Sequence, residues 1–127
     1  MNFYMECNSL SITGMDDSLA VCFGYMEKEE LSQYVMLQCA LKDDNLEIYL
    51  EINDQSSSVY GGIIKCNLDQ NSLRLELSEA AAVELGLEHS PAELVLKLDL
   101  STDEIEELSC ALSEVIFQGS EIFDSSL

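Results

Sequence analysis

Positive charge is scarce in this chain. Its basic residues, Lys28, Lys42, Lys65, Arg74 and Lys97, number five and are scattered, against 25 Asp and Glu. Surfaces that hold phosphates need clustered Lys and Arg, so direct nucleic-acid binding is excluded. The formal net charge is −20. A compact body with that charge repels anionic membranes, attracts basic surfaces and loses stability through self-repulsion when it folds. A tightly bound basic partner would offset that cost, and plain solubility is the alternative reading of the same charge.

Other shortages narrow the field further. The only histidine is His89 and the only proline is Pro91. No apolar run approaches the roughly 18 residues of a membrane span. The opening Met1-Asn2-Phe3-Tyr4-Met5-Glu6 has neither a basic region nor an apolar core of the kind a secretory signal carries. Cysteines are present at 7, 22, 39, 66 and 110. Their number is odd and none form a C-x-x-C pair, which argues against a zinc site and against a thioredoxin-type motif. Most fall on apolar positions, where free Cys acts as a small hydrophobe, and a reducing cytoplasm suits them.

A catalytic apparatus is also missing. The chain has no G-x-S-x-G elbow, P-loop or H-E-x-x-H. Neither Lys42-Asp43-Asp44-Asn45 nor Asn53-Asp54-Gln55 opens a calcium loop, which needs D-x-[DN]-x-[DN]-G and a distal Glu. The first reads as a hairpin turn. His89 reads as an exposed loop residue. An enzyme would have to rest on His89, Cys39 or a pair of carboxylates, and nothing local supports any of these. The expectation is a non-enzyme with no catalytic residues, metal ligands or cofactor.

Apolar residues make up 47% of the chain, so it is not a disordered acidic tail, and its 127 residues suit one domain over 1–127. Leu46 to Ile52 alternates strictly, which sets Leu46, Ile48, Leu50 and Ile52 on a core face and Glu47, Tyr49 and Glu51 on a wet one. Leu73–Leu77 and Leu94–Leu100 repeat the pattern. Tyr60 to Cys66 forms a further strand whose glycines imply a bulge or a close backbone approach. The turn residues from Asn67 to Ser72 pair the Ile63 and Leu73 strands in a hairpin. Ser9–Thr13 and Leu19–Phe23 read as two more strands. Leu31–Leu41 fits a helical period about as well as a strand, and context favours a strand with Val35, Leu37 and Cys39 inward. Ser78 caps a short helix that stops at Gly86. Ser101-Thr102-Asp103-Glu104 is a capping box, and Ile105, Leu108, Leu112, Val115 and Ile116 trace the core face of a helix ending near Gly119. The tail from Glu121 to Leu127 is expected to fray. The resulting fold class is α+β: an antiparallel sheet of about six or seven strands, covered on one face by a long C-terminal helix, with one short helix besides.

The residues best suited to binding lie between Glu47 and Gly62. Glu47, Tyr49 and Glu51 form a wet row, followed by Asp54 and then Tyr60. Carboxylates alternating with a ring on a rigid strand suit the Arg and Lys of a protein partner, because a carboxylate takes a guanidinium bidentately and a ring stacks on it. An ordinary wet sheet face with a cross-strand tyrosine has the same appearance.

The order of these elements carries a resemblance. Tyr34-Val-Met-Leu-Gln38 is followed by Tyr49-Leu-Glu-Ile-Asn-Asp-Gln55 and Tyr60-Gly-Gly-Ile63. Leu73-Arg-Leu-Glu-Leu77 then runs into Ala80-Ala-Ala-Val-Glu-Leu-Gly86, and Leu96-Lys-Leu-Asp99 precedes a helix. This resembles the tenth immunity-protein family of bacterial polymorphic toxin systems, over roughly Leu10 to Gln118. Its most specific parts are Glu-Ile-Asn-Asp-Gln and Tyr-Gly-Gly-Ile at their mutual spacing. The segment Phe3–Asn8 and the tail after Gly119 lie outside the pattern. The resemblance implies a small cytoplasmic antidote that binds the C-terminal domain of a cognate toxin, and it assigns no site residues. A nuclease toxin with a basic surface would suit the −20 charge. An acidic secretion chaperone that holds an effector is the alternative. The sequence selects no oligomeric state.

Overall fold

The computed structural model describes residues 3–15, 17–40, 47–87 and 92–127. The expected turn at Asp43-Asp44, Leu46, His89 and Pro91 lie outside them. The described residues form ten strands: β1 (Phe3–Cys7), β2 (Ser9–Met15), β3 (Ser18–Glu27), β4 (Glu30–Ala40), β5 (Tyr49–Ile52), β6 (Asp54–Tyr60), β7 (Ile63–Leu68), β8 (Ser72–Leu77), β9 (Ala92–Leu98) and β10 (Phe123–Ser125). Two helices accompany them, α1 (Glu79–Glu84) and α2 (Thr102–Ala111), the second running on into a π-helical turn at Leu112–Ile116.

The expected α+β fold with a single sheet of six or seven strands is wrong, because the described residues are mostly β. The strands form two five-stranded sheets, one in the order β1-β9-β8-β7-β10 and one in the order β2-β3-β4-β5-β6. We call them the β8 sheet and the β4 sheet. The β8 sheet is not fully antiparallel either, because β1 runs parallel to β9 and β10 parallel to β7. Alternation tells which side of a strand is buried, but it is the same whether the strands share one sheet or divide between two. The parallel partners are also remote in sequence and carry no hairpin signal.

Each sheet buries one face in a common apolar core. From the β8 sheet come Met5, Cys7, Leu73, Leu75, Leu77, Leu94, Leu96 and Leu98, and from the β4 sheet Val21, Phe23, Val35, Leu37, Leu50 and Ile52. The inward set expected for β4 is therefore right, and Leu31–Leu41 is a strand over nearly all its length. Each fully buried aliphatic side chain contributes about 1.5–3 kcal/mol. Ile105, Leu108, Leu112 and Ile116 fill the same core from α2 and its extension, with α2 lying against β2 and the π turn against β4. The helix begins as its capping box requires: Ser101 Oγ accepts from Glu104 N at 3.1 Å, and Glu104 Oε1 accepts from Ser101 N at 3.0 Å. Phe117 then stacks on Phe123 with ring centroids 6.1 Å apart, which fixes the tail expected to fray as the edge strand β10.

Two asparagines fasten the turns. Asn8, where the chain leaves the β8 sheet for the β4 sheet, accepts from Met26 N at 2.7 Å and donates to Met26 O at 3.0 Å. Asn53, with φ of 60°, joins β5 to β6. Charge divides between the sheets as well. The outer face of the β8 sheet carries Lys65, Arg74 and Lys97 beside Glu6, Glu76 and Glu93, with Lys97 opposite Glu6, Lys65 opposite Glu76 and Arg74 bridged to Glu93 at 2.7 Å. No strand of the β4 sheet contains a basic residue.

Candidate functional site

The outer face of the β4 sheet holds the site. Strand pairing sets Cys22, Met36, Glu51 and Ser58 in one row, and Ala20, Gln38, Tyr49 and Tyr60 in the next. Above them lies an open groove of about 680 Å³, lined chiefly by Met36, Gln38, Glu47, Tyr49, Glu51 and Tyr60, with Gln55 at its side.

Glu51 is its centre. The alternation of β5 puts this residue on the outer face, where it was expected to be wet. Instead it is only 7% exposed. Tyr34 donates its hydroxyl to Oε2 and Tyr49 donates to Oε1 at 2.5 Å, and these side chains screen the carboxylate from water. The bond to Glu51 pushes the Tyr34 hydroxyl up from 10.0 to about 12, since ionising the phenol would forfeit a donor and set two negative charges together. The Tyr49 hydroxyl is raised for the same leading reason. Among the described residues no Lys, Arg or His lies within ion-pair distance of Glu51.

The turn residues shape the groove. Tyr60 is 68% exposed and packs its ring against Tyr49, centroids 5.0 Å apart and planes inclined by 53°. After it, Gly61 and Gly62 take φ of 77° and 88°. A Cβ on Gly62 would lie 2.4 Å from the Cβ of Ala81, so α1 can dock only against a glycine. The close backbone approach expected from Tyr60-Gly61-Gly62 is this contact.

Of the residues expected to bind a partner, Glu47, Tyr49, Glu51 and Tyr60 come together in the groove and Asp54 does not. The Asp54 carboxylate folds back onto its own turn, accepting from Ser56 N at 2.9 Å and Ser56 Oγ at 3.0 Å, and these bonds lower its pKa. Sequence reasoning missed Tyr34, Met36, Gln38 and Gln55. The signal for the first three was present: once β4 is a strand with Val35 and Leu37 inward, Tyr34, Met36 and Gln38 must face outward. What was lacking was the pairing of β4 with β5.

This arrangement offers hydrogen-bond acceptors, negative charge and flat aromatic surface to a ligand. No helix among the described residues is long and apolar enough to cross a membrane. No curated protein matches the chain. The family model for immunity protein 10 matches residues 7–106, a span that includes the whole β4 sheet and the groove, and the chain belongs to that family.

Proposed function

We propose that this protein neutralises a cognate toxin domain by tight binding, and that the groove on the β4 sheet seats on a basic surface of the toxin. The observation that carries the reading is the division of charge between the two outer faces. The β8 sheet balances its cations against nearby carboxylates. The strands of the β4 sheet have none to balance, and theirs is also the face with the groove, lined by Tyr49 and Tyr60, and with Tyr34 bonded to Glu51. Opposite charge speeds capture and excludes wrong partners, and aromatic residues are the side chains most enriched at the centres of protein interfaces. A toxin that cuts nucleic acid presents such a basic surface, because it must hold phosphates, and an antidote seated there would exclude the substrate.

Co-expression provides the test. The toxin domain encoded beside this protein should kill cells when expressed alone and spare them when the antidote is present. The double variant Glu47→Lys, Tyr60→Asp alters two exposed groove residues and should lose most of the protection while remaining folded by circular dichroism. Full protection by that variant would remove the groove from the interface. Recovery of several unrelated secreted proteins by affinity capture from the native host, with no dominant toxin, would favour the chaperone role.

A further inference from the structure

Among the described residues, the buried carboxylate at the floor of the groove has no counter-ion. Glu51 is 7% exposed. Its neighbours across the strands are Met36 and Ser58, with Cys22 beyond Met36. Burying a charge is unfavourable unless it is paired and hydrogen-bonded. Here the hydrogen bonds are supplied, one phenol to each oxygen, and no described residue supplies the cation. A carboxylate has roughly four acceptor positions, so these bonds leave about half of its capacity free. The tyrosines also hold it in one orientation.

The surroundings favour one kind of cation. The tilted rings of Tyr49 and Tyr60 form one wall of the groove, and Met36, Gln38 and Gln55 line it too. Glu47 stands at the rim, exposed, as a second negative charge. A guanidinium is planar, weakly hydrated, and able both to bond a carboxylate bidentately and to stack on a ring. An ammonium is a compact, strongly hydrated point charge that gains less from such a site. The groove volume of about 680 Å³ accommodates an arginine side chain with its flanking backbone.

We infer that Glu51, held by Tyr34 and Tyr49 and walled by Tyr60, is a socket for one arginine guanidinium presented by a protein partner. That the partner is a toxin rests on the reading in the preceding subsection; the socket itself does not.

A small probe tests the socket without a toxin. N-acetyl-arginine amide is titrated into the full-length protein, with N-acetyl-lysine amide as the comparison, and the tyrosine ring resonances are followed by NMR. The arginine probe should shift the Tyr34 and Tyr49 rings saturably and bind at least about tenfold more tightly than the lysine probe, as a bidentate contact requires. Glu51→Gln should abolish the saturable shift, and Glu47→Gln should weaken it only several-fold. Equal binding of the two probes, no saturable binding, or binding that survives Glu51→Gln would overturn the inference. The comparison of arginine with lysine needs only the wild-type protein, so the test stands even if a variant fails to fold. Should the arginine probe bind and the intact toxin domain fail to displace it, the socket holds and the toxin-binding role of the groove falls.

Discussion

Asn53 grips Tyr34 through both polar groups of its backbone. The Asn53 N–H donates to Tyr34 O at 3.0 Å and its side-chain Oδ1 accepts from Tyr34 N at 2.7 Å. The asparagine can do this because its φ of 60° turns the chain back towards β4, and Asn tolerates the left-handed region better than most residues. The consequence reaches the groove, since Tyr34 is fixed where its hydroxyl meets Glu51. Asn53→Ala should destabilise the fold by about 2 kcal/mol, from the lost hydrogen bond and left-handed strain together. Asn53→Gly, which removes only the bond, should cost about 1 kcal/mol. Urea unfolding of both variants separates the two contributions, and equal losses would mean that φ carries no strain here.

The two-glycine turn gives a sharper contrast. Gly62 and Gly86 both have positive φ, 88° and 76°, but a Cβ on Gly62 would collide with Ala81 at 2.4 Å while one on Gly86 would meet nothing within 4 Å. Gly86→Ala should therefore show backbone strain alone, about 1–2 kcal/mol. Gly62→Ala should add the displacement of α1, for a total of about 3–4 kcal/mol. Denaturant midpoints measured side by side check the order, and a Gly86 variant as damaged as the Gly62 variant would contradict the packing argument.

How far the sequence disclosed this structure depends on what each feature needs. The capping box at Ser101 and Glu104 and the hairpin of β7 with β8 depend on neighbours along the chain, and both are plain in the residue order. The division into two sheets depends on pairings such as Phe3 with Leu94 and Phe123 with Cys66, which leave no local trace. The serine-rich β6 was also hidden, since Asp54-Gln55-Ser56-Ser57-Ser58 reads as loop chemistry. In the groove, the outward row of β5 was legible. The burial of Glu51 was not, because it needs, besides Tyr49, a tyrosine 17 residues away. Asp54 stands outside the groove for the opposite reason, since its hydrogen-bond partner Ser56 is a near neighbour in the same turn.

Alkaline pH should expose the Tyr34–Glu51 bond. Folding raises the Tyr34 hydroxyl from 10.0 to about 12, so between those values the folded protein keeps a proton that the unfolded chain has lost. The stabilisation is complete below pH 10.0 and disappears as pH rises through about 12. The wild type should therefore lose more stability than Tyr34→Phe over that interval, although other groups titrate in both. Thermal unfolding of the pair from neutral to alkaline pH measures the difference. Parallel curves would show that the bond gives Tyr34 no protection.

Thiol reactivity should follow burial. Cys66 and Cys7 are buried, which pushes their thiols up to about 12 and about 11, and burial also raises Cys39 and Cys22, the latter helped by the Glu51 charge. Cys110 is exposed on α2. The thiolate is the reactive form, so at neutral pH a maleimide should label Cys110 rapidly and leave the other four cysteines until the protein is denatured. Mass spectrometry of the labelled peptides decides this. Rapid native labelling of Cys22, which is half-buried beside Met36, would mean that the outer face of the β4 sheet is more open there than its packing implies.

Charge reversal can separate the two acid-rich surfaces of the molecule. One is the groove. The other is the exposed side of α2, where Asp103, Glu106 and Glu107 stand and no basic residue follows Lys97 in the chain. Glu47→Lys and Glu107→Lys change the net charge of −20 by the same amount, so any long-range effect of total charge on toxin capture is common to both. A local effect belongs only to the surface that meets the partner. If that surface is the groove, Glu47→Lys should slow association roughly threefold or more at low ionic strength, and Glu107→Lys should leave the rate nearly unchanged. The difference should shrink as salt rises, because screening shortens the reach of exposed charges to about 10 Å at 0.1 M. Stopped-flow or surface-binding kinetics with the toxin domain would resolve it. Should Glu107→Lys prove the slower, the docking surface is the helix, and the groove must serve a different ligand.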